Sequence, residues 1–171
     1  MDRAKLQAGE RVLVHGGAGS VGLLAVQLAC FHGAHVIATA SADNLDFVKL
    51  LGANEVIDYR ASRFENQAGK VDIVFDTVGS ETLNRSWSVL KPGGRMVTIV
   101  GEDATEQRVK EAFFIVEPNQ NQLTEVANLL DAGTLKTFVS AVVSLEDASA
   151  AYEGTLEHKR RYGKVVVAIP E

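Results

Sequence analysis

Cysteine is almost absent from this chain of 171 residues, because Cys30 is the only one. One cysteine can form no intramolecular disulfide and offers no thiolate cluster to a metal ion. It lies on the apolar face of the first predicted helix, where a small core residue is the simplest interpretation. The four histidines also lack a metal-ligand spacing such as H-E-x-x-H. We therefore predict that the chain holds no metal.

Long apolar runs and an excess of basic residues are absent as well. No run approaches the roughly 20 residues of a membrane-spanning helix, and the N-terminus has no apolar secretory region. The formal net charge is −5, whereas binding to nucleic acid needs a basic face. The one basic cluster, Lys159–Arg161 after His158, is explained by a solvated helix end. We predict a cytoplasmic protein with neither a membrane nor a nucleic acid as partner.

Strand and helix patterns alternate along nearly the whole chain. The predicted strands are Arg11–His15, His35–Thr39, Glu55–Asp58, Val71–Asp76, Arg95–Val100 and Phe113–Val116. The predicted helices are Ser20–His32, a helix capped by Ser41 and running to Leu51, Arg63–Ala68, a helix capped by Ser80 and running to Leu90, and about Asn121–Ala132. A turn is predicted at Lys91–Gly94. The pattern favours an α/β fold, a Rossmann-like doubly wound parallel sheet of about six strands.

The first predicted strand runs directly into a glycine-rich loop. Gly17, Gly19 and Gly22 fit the pattern G-x-G-x-x-G, and an apolar helix follows at once. In dinucleotide-binding folds these glycines allow a tight turn, close approach of backbone to a pyrophosphate and close packing of helix on strand. The helix N-terminus then offers free N–H groups to the phosphates; a glycine turn without ligand is the alternative. The predicted cofactor contacts of this loop are Gly16, Gly17, Ala18, Gly19, Ser20, Val21 and Gly22.

The C-terminal residues follow a different pattern, β-α-β. We predict a β-rich segment at Thr137–Val143, a helix from Leu145 to about His158 and a strand at Lys164–Ile169. Residues 137–171 are therefore predicted as a segment separate from a dinucleotide-binding domain at residues 1–136.

Ligands of doubly wound sheets bind beyond the carboxyl ends of the strands. The loops that should converge there add six predicted cofactor contacts, namely Ser41, Asp76, Val78, Gly79, Val100 and Gly101. Structural interpretations stay open for several of them. Ser41 could simply cap a helix, Asp76 could satisfy backbone donors at a strand end, and Val100 could be strand core before a turn.

Five segments together are more specific than the loop alone. They are VLVHGGAGSVG, FVKLLGANEVIDYR, VDIVFDTVG, LKPGGRMVTIVG and YGKVVVAIP. Their order and spacing resemble the medium-chain dehydrogenase/reductase superfamily, the zinc-type alcohol dehydrogenase-like proteins. Within it the chain looks like the zinc-free quinone oxidoreductase branch. The resemblance extends from about Leu6 to the C-terminus.

The resemblance implies a further domain that this sequence does not contain. Members of the superfamily place a GroES-like catalytic domain before the nucleotide fold, and residues from about Thr137 onward resemble the segment that returns to it. The sequence is then an excised fragment, or a partner chain supplies the rest, or the tail packs differently. A cut at a domain boundary is the simplest of these explanations.

The resemblance also implies NADPH as the cofactor. The second strand ends without the Asp or Glu that usually binds both ribose hydroxyls of NAD, which permits the 2′-phosphate of NADP. Ser41 can donate to that phosphate, and Tyr59, unless it is only an exposed aromatic, matches the family position whose phenol contacts it. Asn44, also a predicted contact, replaces the lysine of the NADPH-binding pattern, and Arg60 could restore the cation. Asp43 could instead bind a ribose hydroxyl. We predict NADP(H) over NAD(H).

The implied reaction is hydride transfer to a quinone or an α,β-unsaturated carbonyl. By resemblance, Val100 and Gly101 lie on the nicotinamide side, and the edge strand Phe113–Val116 pairs two copies into a homodimer. The catalytic residues stay unknown, because one wall of the substrate cleft belongs to the absent domain. We expect the isolated chain to bind nucleotide weakly and to turn over little.

Two other classes of function stay open. A class I S-adenosylmethionine methyltransferase also carries Leu-Lys-Pro-Gly-Gly before its fifth strand, but it places an acid with the glycine loop, where this chain has His15. A non-catalytic module for nucleotide binding or dimerisation fits the missing domain.

Overall fold

The computed structural model of the chain describes residues 2–101, 106–155 and 162–169. The strands are β1 Arg11–Val14, β2 His35–Ala40, β3 Glu55–Asp58, β4 Val71–Asp76, β5 Leu90–Thr98, β6 Val139–Val143 and β7 Lys164–Val167. The α-helices are α1 Gly22–Phe31, α2 Leu45–Leu50, α3 Ser80–Ser86, α4 Gln107–Ala112, α5 Gln120–Asp131 and α6 Ala148–Glu153. Short 3-10 turns lie at Asp2–Ala4, Ala42–Asn44, Phe64–Asn66 and Trp87–Val89.

Five of the strands form one parallel sheet in the order β3-β2-β1-β4-β5. The strands are almost continuously apolar because helices cover both faces of the sheet. In β1, Val12 and Val14 pack in the core that contains α1 and α2, whereas Leu13 packs in the opposite core with α3 and α4. The predicted Rossmann-like parallel fold is confirmed.

The predicted sixth strand at Phe113–Val116 is wrong. The segment meets β5 only through one isolated bridge between Phe113 and Thr98, the last residue of β5. A parallel ladder needs a partner strand alongside every residue, and beyond Thr98 there is none in the described ranges. Ile115 and Val116 are therefore exposed. The helix α4, which ends just before Phe113, was not predicted.

Two predicted boundaries after β4 are also corrected. Lys91–Gly94 is not a separate turn, because β5 begins at Leu90 and includes these residues, with an irregular register between Val71 and Ile73 of β4. Ser80 does not cap α3, since the N-cap is Gly79, whose φ of +79° is one that glycine adopts without strain.

Several predicted helices are shorter in the structure. The helix predicted to end at Leu90 ends at Ser86 and gives way to a 3-10 turn. Ser41 is the N-cap of the 3-10 turn Ala42–Asn44 that precedes α2, although its side chain makes no capping hydrogen bond. The helix predicted at Arg63–Ala68 is a single 3-10 turn. The predicted end of the last helix, at His158, and the basic cluster 159–161 lie outside the described residues. None of the helices in the described ranges has the length and apolar character needed to cross a bilayer.

The tail forms its own two-stranded parallel sheet of β6 and β7, with α6 between them in sequence, as the β-α-β pattern predicts. Gln27 of α1 exchanges two hydrogen bonds with the backbone of Lys136, at 3.1 and 2.9 Å. The ring of Tyr162 stacks on Phe47 of α2 at 3.6 Å between centroids, and Phe138 meets Phe47 edge-on. These contacts hold the tail against α1 and α2; a domain boundary at residue 136 stays a prediction.

Candidate functional site

A glycine loop connects β1 to α1 at the carboxyl edge of the sheet. The amide of Gly17 donates to the carbonyl oxygen of Thr39 in β2 at 2.9 Å, and the amide of Gly19 donates to that of Gly16 at 2.9 Å. Gly16 has a φ of +72°, which favours glycine. The loop therefore turns back on itself and is held against β2, which is the geometry of a dinucleotide-binding turn.

Side chains would not fit at the turning points of this loop. A Cβ on Gly17 would lie 3.0 Å from the Cβ of Ala38. A Cβ on Gly22 would overlap the carbonyl oxygen of Gly16 and lie 2.7 Å from its carbonyl carbon. On Gly16, a Cβ would lie 2.6 Å from Oγ1 of Thr77. Space thus requires glycine at these positions, and the lack of side chains leaves the backbone open to a ligand.

The N-terminus of α1 is arranged to receive an anion. The amides of Ser20 and Val21 donate to no acceptor in the part of the chain that the structure describes, and both residues are exposed. Val21 is the N-cap and has no side-chain acceptor, and the first turn contains no acidic residue. Free N–H groups at a helix N-terminus carry partial positive charge and bind phosphate. A pyrophosphate fits this position in both charge and hydrogen bonding.

The loops after β4 and β5 lie beside the glycine loop. Oγ1 of Thr77 donates to the carbonyl oxygen of His15 at 2.8 Å, which joins the ends of β4 and β1. Gly79 packs against Val100 so closely that a Cβ on Gly79 would lie 2.5 Å from Cγ1 of Val100. The structure therefore places the predicted contact Val78 against the glycine loop and the predicted contacts Gly79 and Val100 against each other. Gly101 follows Val100 in sequence and packs against the ring of Phe113.

Asp76 is fully buried at the end of β4 and binds protein groups. Its carboxylate accepts hydrogen bonds from the amides of Val78 and Gly79, at 3.2 and 3.0 Å, and from the hydroxyl of Thr98 at 2.9 Å. Of the two interpretations, satisfying backbone donors at the strand end describes this geometry. Asp76 shapes the turn that carries Val78 and Gly79, and a direct cofactor contact by Asp76 stays a prediction.

The ends of β2 and β3 place the predicted ribose and phosphate contacts on neighbouring strands. Ala40 pairs with Asp58, and the amide of Tyr59 donates to the carbonyl oxygen of Ala40 at 3.2 Å. Ser41 and Tyr59 therefore leave the sheet side by side. The side-chain amide of Asn44 donates to Oγ of Ser41 at 3.0 Å, so the Ser41 hydroxyl keeps its own proton for another acceptor.

Arg60 supplies positive charge to this end of the site. Its guanidinium lies 5.6 Å from the ring centroid of Tyr59, and both residues are exposed. No carboxylate pairs with the Arg60 guanidinium within the described ranges. Oδ1 of Asn44 is buried and accepts no hydrogen bond from any residue described, so a donor such as a sugar hydroxyl would satisfy it.

His15 and Thr39 were not predicted as parts of the site. Both are buried, and the hydroxyl oxygen of Thr39 accepts a hydrogen bond from the amide of Gly16 at 3.2 Å. A histidine at the end of an apolar strand, directly before a glycine loop, is the signal that could have indicated them. Thr39 binds the backbone of the loop directly, whereas the imidazole of His15 contacts Thr39 and Ser86.

The described part of the chain contains no candidate metal centre, since no three His, Cys, Asp or Glu side chains lie together as ligands there. Cys30 is half-buried, and its thiol donates to the carbonyl oxygen of Gly52 at 3.1 Å. Burial raises the pKa of this thiol, which keeps it protonated and unreactive. The half-buried position of Cys30 fits the predicted role as a small packing residue.

Several known proteins similar to this chain are redox enzymes by name. Residues 51–167 match the family described as zinc-binding dehydrogenase. The chain is 33% identical to a probable mitochondrial zinc-binding oxidoreductase of Arthroderma benhamiae, over 94% of this chain and 52% of that protein. It is also 33% identical to the chloroplastic NADPH-dependent alkenal/one oxidoreductase of Arabidopsis thaliana, over 96% of this chain and 42% of that protein.

Solved structures share the same architecture. A quinone oxidoreductase from Coxiella burnetii superposes with a TM-score of 0.87 at 32% identity, over 99% of this chain and 56% of the other. The chain spans about half the length of the two curated relatives named above. The similarity covers the whole parallel sheet and the edge that carries the glycine loop.

Proposed function

Because the chain belongs to the zinc-binding dehydrogenase family of the medium-chain dehydrogenase/reductase superfamily, we propose that it is the nucleotide-binding part of an oxidoreductase. The bound cofactor would be NADP(H), and the reaction would need no zinc. The observation that carries the proposal is the N-terminus of α1, where the amides of Ser20 and Val21 have no partner in the described ranges. They lie beside a loop that leaves no room for side chains and so admits a pyrophosphate.

The preference for NADP(H) rests on the other end of the site. β2 is followed by Ser41, not by a carboxylate that would repel a 2′-phosphate. The free proton of Ser41, the phenol of Tyr59 and the guanidinium of Arg60 are all suited to an anion. Oδ1 of Asn44 would accept from a hydroxyl of the same ribose. These residues would bind and orient the adenosine half.

The proposed hydride acceptor is a quinone or an α,β-unsaturated carbonyl. Two relatives are named as an alkenal/one oxidoreductase and a quinone oxidoreductase, and the substrates in these names share a carbonyl conjugated to a carbon–carbon double bond. The nicotinamide, when bound, supplies the hydride. This chain would hold the ring near Val100 and Gly101. The exposed Ile115 and Val116 are available for the proposed homodimer contact.

Binding of NADPH to the purified chain is the direct test of this function. We expect NADPH to bind about tenfold more tightly than NADH, because only NADPH carries the 2′-phosphate that Ser41, Tyr59 and Arg60 would contact. The measurement is a titration in which binding is monitored by the fluorescence of the reduced nucleotide. S-adenosylmethionine, added as a competitor, should not displace it. Binding of S-adenosylmethionine, with no binding of either reduced nucleotide, would end the dehydrogenase assignment.

Replacing Arg60 tests the proposed phosphate contact separately. Arg60→Ala should weaken NADPH binding about tenfold and leave NADH binding unchanged, because the charged hydrogen bond concerns the 2′-phosphate alone. Arg63→Ala is the matched control, since Arg63 is an exposed arginine nearby that pairs with Glu65 at 3.7 Å. Equal losses for both nucleotides in Arg60→Ala, or the same loss in Arg63→Ala, would argue against a specific phosphate contact.

A further inference from the structure

His15 occupies the interior of the sheet, one residue before the glycine loop. It is 1% exposed, and both ring nitrogens have hydrogen-bond partners. Nδ1 lies 3.2 Å from Oγ1 of Thr39, and Nε2 lies 2.9 Å from Oγ of Ser86. The ring of Phe64 packs edge-on against the imidazole at 4.5 Å between centroids. The imidazole therefore connects β2 with α3 through the core.

The direction of each hydrogen bond in this chain of contacts follows from proton counting. Oγ of Ser86 donates its only proton to the carbonyl oxygen of Thr82 at 2.6 Å. It must therefore accept from Nε2–H of His15. A neutral imidazole then has an acceptor at Nδ1, which takes the hydroxyl proton of Thr39. The Thr39 oxygen remains the acceptor for the amide of Gly16, at 3.2 Å.

The hydrogen bonds that join Ser86, His15 and Thr39 form a relay, and Thr39 is the residue of this relay that contacts the loop. Its hydroxyl oxygen accepts from the amide of Gly16, and its carbonyl oxygen accepts from the amide of Gly17 at 2.9 Å. Two successive amides of the loop are thus fixed by one residue, and the rotation of its hydroxyl is fixed by His15. Thr39 itself does not face the ligand position at the N-terminus of α1.

We propose that His15, as the neutral imidazole, is a positioning residue that acts through Thr39 to hold the glycine loop in its pyrophosphate-binding shape. This inference rests on the proposed dinucleotide function, but it concerns the loop and not the choice of cofactor. It predicts that loss of the relay weakens NADPH and NADH by the same factor, because both carry the pyrophosphate.

Protonation of His15 would disrupt the series of hydrogen bonds that links Ser86, His15 and Thr39. An imidazolium donates from both nitrogens, so the hydroxyl proton of Thr39 would lose its acceptor. Burial lowers the pKa of His15 to about 4 and thus favours the neutral form; Arg85 of α3 acts in the same direction. The carboxylates of Asp76 in β4 and Glu65 in the Phe64–Asn66 turn act in the opposite direction.

The sign of the pH effect follows from this lowered pKa. In the unfolded chain a histidine takes up a proton near its ordinary pKa of about 6.5. The folded chain resists the proton down to about 4, so His15 costs stability progressively as the pH falls between these values. A variant without a titrating group at this position should lose that part of the acid sensitivity.

The experiment compares His15→Leu, His15→Gln and Thr39→Val with the wild-type chain. We expect His15→Leu to weaken NADPH and NADH equally, by about tenfold. Thr39→Val removes the hydroxyl at nearly constant size and should give a similar loss, and the double variant should be no worse than either single one. His15→Gln, which can donate to Ser86 and accept from Thr39, should recover most of the affinity and unfold with less acid dependence than the wild type.

A core variant away from the loop separates positioning from general stability. Val89 lies in the core that contains α3 and α4, so Val89→Ala should reduce stability without changing nucleotide affinity. If the wild type binds NADPH and both His15→Leu and Thr39→Val bind it equally well, the relay does not position the loop. Additive losses in the double variant would also overturn the inference. If the wild type itself binds no dinucleotide, the proposed function fails first.

Discussion

Gly22→Ala is expected to reduce the affinity for NADPH by about 100-fold or more. Its Cβ would overlap the carbonyl oxygen of Gly16 and lie 2.7 Å from the carbonyl carbon and 3.0 Å from Cα of Gly17. These are backbone atoms, so relief requires the loop to move away from α1. Such a movement separates the loop from the free amides of Ser20 and Val21, with which it forms the proposed pyrophosphate site.

Gly19→Ala is the graded comparison for this substitution. A Cβ on Gly19 would lie 3.1 Å from the same carbonyl oxygen of Gly16, a contact that a shift of a few tenths of an ångström relieves. We therefore expect a smaller loss of affinity than for Gly22→Ala, because the loop keeps its shape and only the added methyl group restricts the approach of the pyrophosphate. The measurement is a nucleotide titration, with circular dichroism to confirm that both variants stay folded. Equal affinities of folded Gly22→Ala and wild-type chains would contradict the proposed loop geometry.

Asp76→Ala is expected to lower the free energy of unfolding by about 3 kcal/mol, because it leaves several buried donors without an acceptor. The carboxylate binds the amides of Val78 and Gly79 and the hydroxyl of Thr98, and it is fully buried. The measurement is urea unfolding, with the change taken from the midpoint and slope.

Asp76→Asn separates the role of shape from that of charge. The asparagine keeps one acceptor oxygen but adds two protons, so we expect a loss of about half that of the alanine variant. Since Val78 and Gly79 are predicted cofactor contacts, the alanine variant should also bind NADPH less tightly. An Asp76→Ala chain as stable as the wild type would mean that these donors find other partners.

Most strands of the parallel sheet were predictable because their local pattern and their tertiary role agree. β3 and β4 have the predicted bounds, since short apolar runs between turn residues leave few alternatives. Phe113–Val116 has the same aromatic and β-branched composition, but a strand also needs a neighbour to pair with. β5 ends at Thr98, and this end is set by the turn that Asp76 organises, which no local pattern reveals.

The site divides in the same way. The glycine spacing of the loop is local, so its shape and its position before α1 could be predicted from the sequence. The contacts of His15 with Thr39 and Ser86 join residues 24 and 71 positions apart. No local sequence pattern distinguishes either partner from other threonines and serines of the chain. Ser41 has the expected N-cap position before the Ala42–Asn44 turn, but its side chain makes no capping hydrogen bond and instead accepts from the side-chain amide of Asn44.

The apolar character of the strands does not specify how far each strand is shifted along its neighbour. A slip of one residue in β1 would exchange Val12 and Leu13 between two equally apolar cores, at little cost in buried area. Polar groups near the strand ends remove this ambiguity. The amide of Arg11 donates to Asp72 at 2.9 Å at one edge, and Asp76 accepts from Thr98 at the other. Substitutions at the carboxyl edge of the sheet are therefore expected to affect the alignment of the strands as well as the proposed ligand binding.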